Sequence, residues 1–274
     1  MKRFFAITVL LATTFLTGSN VSATPSTQIW IPSTDVQGFG VLHLGWDSYI
    51  KTDVLTGDAP TVTNGGITVG VLPFKNIGLE IGIDYRDLGS NHHYPMYYNA
   101  KLGVPEDAFF KYMPAIAFGG FDFGTQVADA PNATSYNVVY GLLAKNIWKL
   151  GRISAGGFKG GVGVNPKTVF FVASSLDAST GTYTKTDDTG FLLSWDRTIS
   201  EVTDKLWLAI DYFSGKNGYG ALSFGLSYAI VPDASFIVGY DIWNDNTALK
   251  PTATVQIDMN LPAIQSWFSK PAAK

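Results

Sequence analysis

The strongest constraint on the fold of this chain is a strict alternation of apolar and polar residues. From Ile77 to Arg86 every second residue is apolar, and the residues between them are glycine or charged. Successive side chains of a β-strand point to opposite faces, so this pattern predicts a strand with one apolar and one polar face. The same alternation recurs in five further segments, at residues 42–47, 206–212, 222–228, 236–242 and 252–261.

Weaker alternation predicts six more strands, near residues 66–72, 95–104, 113–124, 135–145, 153–161 and 189–197. Within residues 113–124 the phase of the alternation changes, which predicts a β-bulge near Gly119 and Gly120. No segment of the body of the chain has the 3.6-residue period of an amphipathic helix. We therefore predict an all-β fold with about twelve antiparallel strands.

The composition excludes several classes of protein. The 274 residues are 46% hydrophobic and 15% charged, which is too apolar for a disordered chain. The absence of cysteine excludes a disulfide framework and a thiolate metal site. A formal net charge of -3 argues against a nucleic-acid partner, because phosphate binding needs a basic face.

The first 23 residues have the pattern of a secretory signal peptide. Two cations precede an apolar stretch that ends at Leu16, and Val21 and Ala23 fit cleavage before Thr24. The stretch is shorter than the roughly 20 residues that a membrane-spanning helix needs. We divide the chain into a signal peptide at 1–23, a periplasmic or lumenal segment at 24–37, a barrel at 38–261 and a tail at 262–274.

The alternating strands fit either a soluble sandwich or a transmembrane barrel. The best segments are long enough for the roughly 9–11 residues of a membrane-spanning strand, whereas soluble strands average about five or six. The apolar faces of the five clearest strands contain no charge; these strands are at residues 77–86, 206–212, 222–228, 236–242 and 252–261. A lipid-facing Arg or Lys at the bilayer midplane would cost about 2–4 kcal/mol, so this exclusion favours a transmembrane antiparallel up-and-down β-barrel.

An even number of strands places both chain ends at the same end of the barrel. Periplasmic turns are then expected near residues 73–76, 105–111, 146–152, 198–205 and 231–234, and outer loops near 52–65, 87–94, 125–134, 162–188, 214–218 and 244–250. With its signal peptide and alternating strands, the chain resembles the small porin-like outer-membrane β-barrels of Gram-negative bacteria. This resemblance is architectural, points to no specific family, and implies the cell outer membrane as location and its lipid as a partner. One departure is that the chain continues beyond the last predicted strand, whereas such barrels commonly end on an aromatic residue.

Charged residues on the polar faces are the candidate functional residues, because opposed acids and bases inside a pore select among solutes. The predicted pore-lining residues are His43, Asp47, Glu80, Asp84, Arg86, Lys101, Lys145, Asp196, Asp211, Asp241 and Asp258. Lys159 is expected on a polar face as well. Small inward residues such as Gly225 and Gly239 predict free volume, whereas Leu143, Trp207, Phe213 and Trp243 on the same faces predict partial filling. Two segments are candidate plugs, namely residues 24–37 and the loop 162–188.

These observations predict a porin-like channel for passive diffusion of small polar solutes or ions, without a cofactor or a bound metal. The alternative is a non-conducting barrel that acts as a scaffold or adhesin through its outer loops, as an oligomer or with a loop-bound partner. A hydrolase is a distant third hypothesis, because the enzymatic motifs that we considered are absent. Its candidate bases are His43 and the pair His92-His93, which we interpret as a lumenal hydrogen-bonding group and a solvated loop.

Overall fold

A computed structural model of the chain describes residues 26–52, 61–87, 96–125, 134–163, 176–177, 182–183, 187–245 and 249–261. The predicted signal peptide, the C-terminal tail, His92-His93 and most of the loop 162–188 lie outside these residues. None of the described residues forms a helix long and apolar enough to cross a membrane.

The described residues form fourteen strands and one short 3-10 helix, at Trp148–Leu150. The strands are β1 (Leu42–Lys51), β2 (Val62–Gly70), β3 (Gly78–Asp87), β4 (Met96–Val104), β5 (Ala115–Gly124), β6 (Val138–Asn146), β7 (Arg152–Lys159), β8 (Leu176–Asp177), β9 (Thr182–Tyr183), β10 (Thr189–Thr198), β11 (Leu206–Phe213), β12 (Ala221–Val231), β13 (Ala234–Trp243) and β14 (Thr252–Leu261).

Twelve of these strands close into an antiparallel barrel. Each strand pairs with its neighbour in sequence, except that β7 pairs with β10 because β8 and β9 form a separate two-stranded sheet. The barrel closes where β1 pairs with β14, from Leu42 opposite Leu261 to Lys51 opposite Thr252. The predicted all-β barrel of twelve antiparallel strands is confirmed.

The two ends of the barrel differ in their connections. Because the strands are antiparallel, β1 begins and β14 ends at the same end, which we call the terminal end. Connections at residues 71–77, 105–114, 147–151, 199–205 and 232–233 lie at this end, close to the predicted turns. The other end, which we call the loop end, has the connection between β7 and β10, which is the longest between two neighbouring barrel strands.

The outer face of the barrel is apolar on every strand. Each of the twelve strands has at least one large hydrophobic side chain exposed on the outside. Examples, one for each strand, are Trp46, Ile67, Ile81, Leu102, Phe118, Leu143, Ile153, Phe191, Ile210, Leu226, Ile242 and Ile257. Among the described side chains of these strands, Lys159 at the end of β7 is the single exposed charged one, with 45% of its side chain accessible. The polar residues of the alternation therefore face the barrel interior.

One detail of the sequence prediction was wrong, since Leu143 is 50% exposed on the outer face and does not fill the lumen. The β-bulge predicted near Gly119 and Gly120 is present and lies directly after them, at Phe121 and Asp122, because the pairing of β4 with β5 jumps from Gly120 to Phe123. Asp122 has a positive φ of 55°, and this local reversal restores its carboxylate to the interior.

Candidate functional site: the barrel interior

Residues 26–37, which we call the plug, lie inside the barrel. The plug folds back on itself, since the backbone N–H of Gln28 donates to the carbonyl of Ile31 at 2.8 Å, and Thr27 pairs with Pro32. Gln28, Ile29 and Ile31 are at most 1% exposed. From the sequence, this segment was expected either in the periplasm or in the lumen. In the structure its described residues lie in the lumen.

A buried carboxylate on β11 binds the tip of the plug. The Oδ2 atom of Asp211 accepts hydrogen bonds from the backbone N–H groups of Ile29 at 2.8 Å and Trp30 at 3.0 Å. From the opposite side of the tip, Gln256 on β14 donates its amide to the carbonyl of Ile29 at 2.9 Å. Asp211 is 1% exposed, so these bonds replace the water that both groups would otherwise bind.

The side chain of Ile29 packs where two facing strands have glycine. Gly225 on β12 pairs with Gly239 on β13, and a Cβ atom on either residue would lie within 2.9 Å of Ile29. Real Cβ atoms do not approach so closely, so both residues must lack a side chain for Ile29 to fit. These glycines were predicted to leave free volume, and Ile29 occupies that volume.

Charged residues hold the arms of the plug closer to the terminal end. Arg152 on β7 forms ion pairs with Asp35 of the plug at 2.6 Å and with Asp196 on β10 at 2.9 Å. Lys101 donates to the carbonyl of Ser26 at 3.1 Å. The plug is therefore fastened by ionic groups as well as by its apolar tip.

Aromatic rings surround Trp30 near the loop end. Its ring makes edge-to-face contacts with Tyr49 on β1 and Trp243 on β13, both with ring centroids 5.2 Å apart. Its indole N–H donates to the carbonyl of Tyr219 at 2.7 Å. Tyr219 belongs to the connection between β11 and β12, so Trp30 links the plug to a loop-end connection.

One half of the lumen is filled by an apolar cluster. Ile31 of the plug packs there against inward residues of β6, β7, β10 and β11 and against Tyr219. The buried strand residues of this cluster are Val138, Tyr140, Leu142, Phe158, Leu192 and Phe213. Trp207 is buried with Ile29 in a second cluster, so Trp207 and Phe213 fill the interior as predicted.

Beside this cluster the lumen contains a cavity of about 170 Å³, which is lined by both polar and apolar side chains. It extends beside the plug from His43 at the terminal end of β1 to Tyr49 near the loop end. Three ion pairs lie in its wall, between Lys101 and Glu80 at 3.1 Å, Arg86 and Asp122 at 2.7 Å, and His43 and Asp258 at 3.2 Å. Cavities of this size and polarity hold water.

Asp122 connects the wall of the cavity to the loop end. Its two oxygens accept a bidentate pair of bonds from Arg86, at 2.7 and 2.9 Å, and its Oδ2 also accepts from the hydroxyl of Tyr219. Since β5 and the connection after β11 lie on different sides of the barrel, the side chain of Tyr219 crosses the lumen. Burial and the nearby carboxylate raise the pKa of Tyr219 well above its ordinary value, so its phenol stays protonated and keeps donating.

The predicted pore-lining residues separate into three groups. Those in the wall of the cavity are His43, Asp47, Glu80, Asp84, Arg86, Lys101 and Asp258. Asp196, Asp211 and Asp241 are buried inside the barrel but outside the cavity lining, and the first two bind the plug. Lys145 lies at the terminal end, where it pairs with Glu106 at 2.6 Å, so it does not line the cavity.

Lys159 and the loop residues lie away from the cavity. Lys159 pairs with Asp188 at 2.5 Å at the loop end of β7, so its expected place on the interior face was wrong. Asp187 accepts from the backbone N–H of Lys216 at 2.9 Å, which explains one carboxylate of the Asp187-Asp188 pair. Within the described ranges, no group of three or more histidines and carboxylates is arranged to hold a metal ion.

Sequence reasoning missed several polar residues of the interior. The bulge hid Asp122, because the alternation that identifies inward residues lapses there. Arg152 begins β7 one residue before the predicted strand, and its guanidinium points inward to Asp196. Asn64 was placed in a loop, whereas it belongs to β2 and donates to Asp47. If the predicted strand had begun at Val62, where β2 begins, Asn64 would have been identified as an inward residue.

No protein-family model matches the sequence, and a comparison with curated proteins finds no similar sequence. A comparison with solved structures finds, among others, a membrane protein from a study of in-meso crystallization, 12% identical, with a TM-score of 0.44 over 80% of this chain and 83% of that chain. The NanC porin is 12% identical, with a TM-score of 0.42 over 80% of this chain and 100% of its own. Neisserial surface protein A is 13% identical, with a TM-score of 0.20 over 81% and 97%. Likeness at this level gives no information on what the present chain binds.

Proposed function

We propose that this chain is an outer-membrane barrel of a Gram-negative cell that forms a narrow channel for small polar solutes or ions. Residues 26–37 act in it as a resident plug that restricts the lumen. The observation on which this rests is the cavity that continues beside the plug from His43 to Tyr49, with charged residues in its wall. The strand between these two residues extends about 20 Å along its own axis and, with the tilt of a barrel strand, about 15 Å along the barrel axis, which is about half of a bilayer's hydrocarbon thickness.

The outer surface supports a membrane location. A continuous apolar face on all twelve strands would be unstable against water, and it matches what lipid tails require of a barrel. The nearly complete absence of charge from this face has the same explanation, because a charged side chain in lipid costs several kcal/mol. The signal peptide predicted at residues 1–23 supports export to such a membrane.

A second candidate, a non-conducting scaffold or adhesin, has its own supporting observation. The apolar cluster fills half of the lumen, and Tyr219 crosses the interior to Asp122 near the loop end. A barrel filled in this way would present its loop-end connections to partners without passing solutes. The cavity beside the apolar cluster favours the channel over the scaffold.

Conductance in a planar lipid bilayer distinguishes the two functions. We expect the chain without residues 1–23 to give small, discrete current steps, because the plug leaves only a narrow path. A variant that also lacks residues 26–37 should give larger steps. If the first protein inserts but passes no current above bare lipid while the second conducts, the plug seals the barrel and the scaffold function is favoured. No current from either protein would refute the channel.

A further inference from the structure

The charges in the cavity wall do not balance. Five carboxylates, of Asp47, Glu80, Asp84, Asp122 and Asp258, line it together with the two cations Arg86 and Lys101 and with His43. With His43 counted as the cation of its pair with Asp258, the lining therefore has a net charge of -2. Arg86, Lys101 and His43 each lie in contact with one carboxylate, namely Asp122, Glu80 and Asp258.

Asp47 and Asp84 have no cation in direct contact, and the charge of Arg86 acts on them only from a greater distance. Within the described part of the chain, no basic nitrogen lies within 4.0 Å of either carboxylate, and their hydrogen bonds come from neutral amides. Asn64 donates to Asp47 at 3.4 Å and to Asp84 at 3.5 Å, and Asn99 donates to Asp84 at 2.7 Å. An amide satisfies the hydrogen bonding of a carboxylate but does not cancel its charge.

The barrel wall next to these carboxylates has glycine at two adjacent inward positions. Gly66 on β2 pairs with Gly45 on β1 and with Asp84 on β3, so two adjacent inward positions have no side chain. A Cβ atom on Gly66 would lie 2.4 Å from Oδ1 of Asp84, so the carboxylate occupies the space above this glycine. A solute that moves along this wall therefore meets carboxylate oxygens rather than aliphatic groups.

Aromatic rings complete the lining near the loop end. Trp30 and Tyr49 line the same cavity as Asp47, which is two residues before Tyr49 on the same inward face of β1. The face of an aromatic ring attracts a cation through its quadrupole and does not attract an anion. The rings and the carboxylates thus favour the same sign of charge.

We infer that the channel selects cations, and that Asp47 and Asp84 are the residues that determine this selectivity. The inference rests on the proposed channel function and names the class of solute, which is inorganic cations and small solutes with an ammonium group. Paired carboxylates elsewhere in the wall contribute less, because an adjacent guanidinium or ammonium cancels their field at the distance of a passing ion.

Reversal potentials in a KCl gradient at alkaline pH, where both carboxylates are ionised, test the inference with K⁺ and Cl⁻ as the probes. We expect the wild-type chain to have a K⁺ to Cl⁻ permeability ratio of about ten or more, since one partly screened ion–carboxylate contact is worth such a factor. The double variant Asp47→Asn and Asp84→Asn should bring this ratio close to one and still conduct. Asp204→Asn, in the exposed connection at residues 199–205, is the matched control and should leave the ratio unchanged.

The outcomes separate the inference from the proposed function. Current steps with a ratio of one or below in the wild-type chain would overturn cation selectivity and leave the channel standing. A cation-selective wild type whose ratio survives the double substitution would overturn the assignment to Asp47 and Asp84. If the wild-type chain gives no current at all, the proposed channel fails, and the inference fails with it.

Discussion

The packing of Ile29 against two glycines allows a quantitative test of the plug. Ile29 is 1% exposed and lies against the backbone of Gly225 and Gly239. Ile29→Ala removes most of this side chain, and the paired strands around the resulting cavity cannot collapse into it. Substitutions of this kind in well-packed sites cost about 2–5 kcal/mol.

This cost falls on the seating of the plug rather than on the barrel, because Ile29 takes no part in the pairing of the barrel strands. At 1.4 kcal/mol for each factor of ten, the ratio of seated to displaced plug should fall by about 30-fold to several thousand-fold. Single-channel records of Ile29→Ala should therefore show frequent transitions to a larger conductance. Ile29→Val, which costs about 0.5–1.5 kcal/mol, should shift the same ratio by roughly 2- to 13-fold.

A matched control is available on β11. Ile210 is 48% exposed on the outer face and precedes Asp211, which binds the plug from inside. Ile210→Ala should leave the conductance unchanged, because its side chain faces away from the lumen. If Ile29→Ala folds normally and gives the wild-type record, the packing of Ile29 does not hold the plug, and the reasoning is refuted.

Three further predictions concern stability. Ile81→Arg on the outer face should lower the free energy of unfolding in lipid vesicles by about 2–4 kcal/mol in a urea titration, and an unchanged midpoint would contradict a lipid-facing position. Asp122→Asn leaves the guanidinium of Arg86 in the cavity wall without its bidentate partner, so we expect a loss of about 1–3 kcal/mol, and an unchanged free energy of unfolding would show that the pair does not stabilise the barrel. Burial raises the pKa of Glu106, but hydrogen bonds, first among them one from Lys145, outweigh it and hold the pKa below its ordinary value. The stabilisation by Glu106 should therefore be complete above its ordinary pKa and disappear as the pH falls through the lowered value. Glu106→Gln should remove this pH-dependent part of the free energy of unfolding, which is less than about 1 kcal/mol. An acid-unfolding profile that the substitution leaves unaltered would contradict this.

The alternation of residues was sufficient to predict how many barrel strands there are and the two faces of the most regular ones. The strand predicted at 77–86 is observed as β3 at Gly78–Asp87, with Ile81 outside and Asp84 inside. This succeeds because the orientation of a side chain in a strand depends on its position in that strand and not on distant residues.

Prediction failed where the local pattern was interrupted. The strand near 66–72 is observed as β2 at Val62–Gly70, because Asn64, Gly65 and Gly66 gave no apolar alternation to mark its beginning. Asp122 was missed for a related reason, since a bulge shifts the inward positions by a residue that the pattern does not reveal.

The sequence by itself determined that this chain is all-β, with about twelve strands that each have an apolar and a polar face, because each strand needs only its own period of two; the pairing of β1 with β14 shows that the barrel is closed. The tertiary structure alone decided how that interior is used. Ile29 and Asp211 are 182 residues apart in sequence, and no local period relates them. The packing of the N-terminal segment inside the closed barrel produces this contact and the fit of Ile29 against the glycine pair. Closure of the barrel also brings together the two carboxylates that have no cation in direct contact.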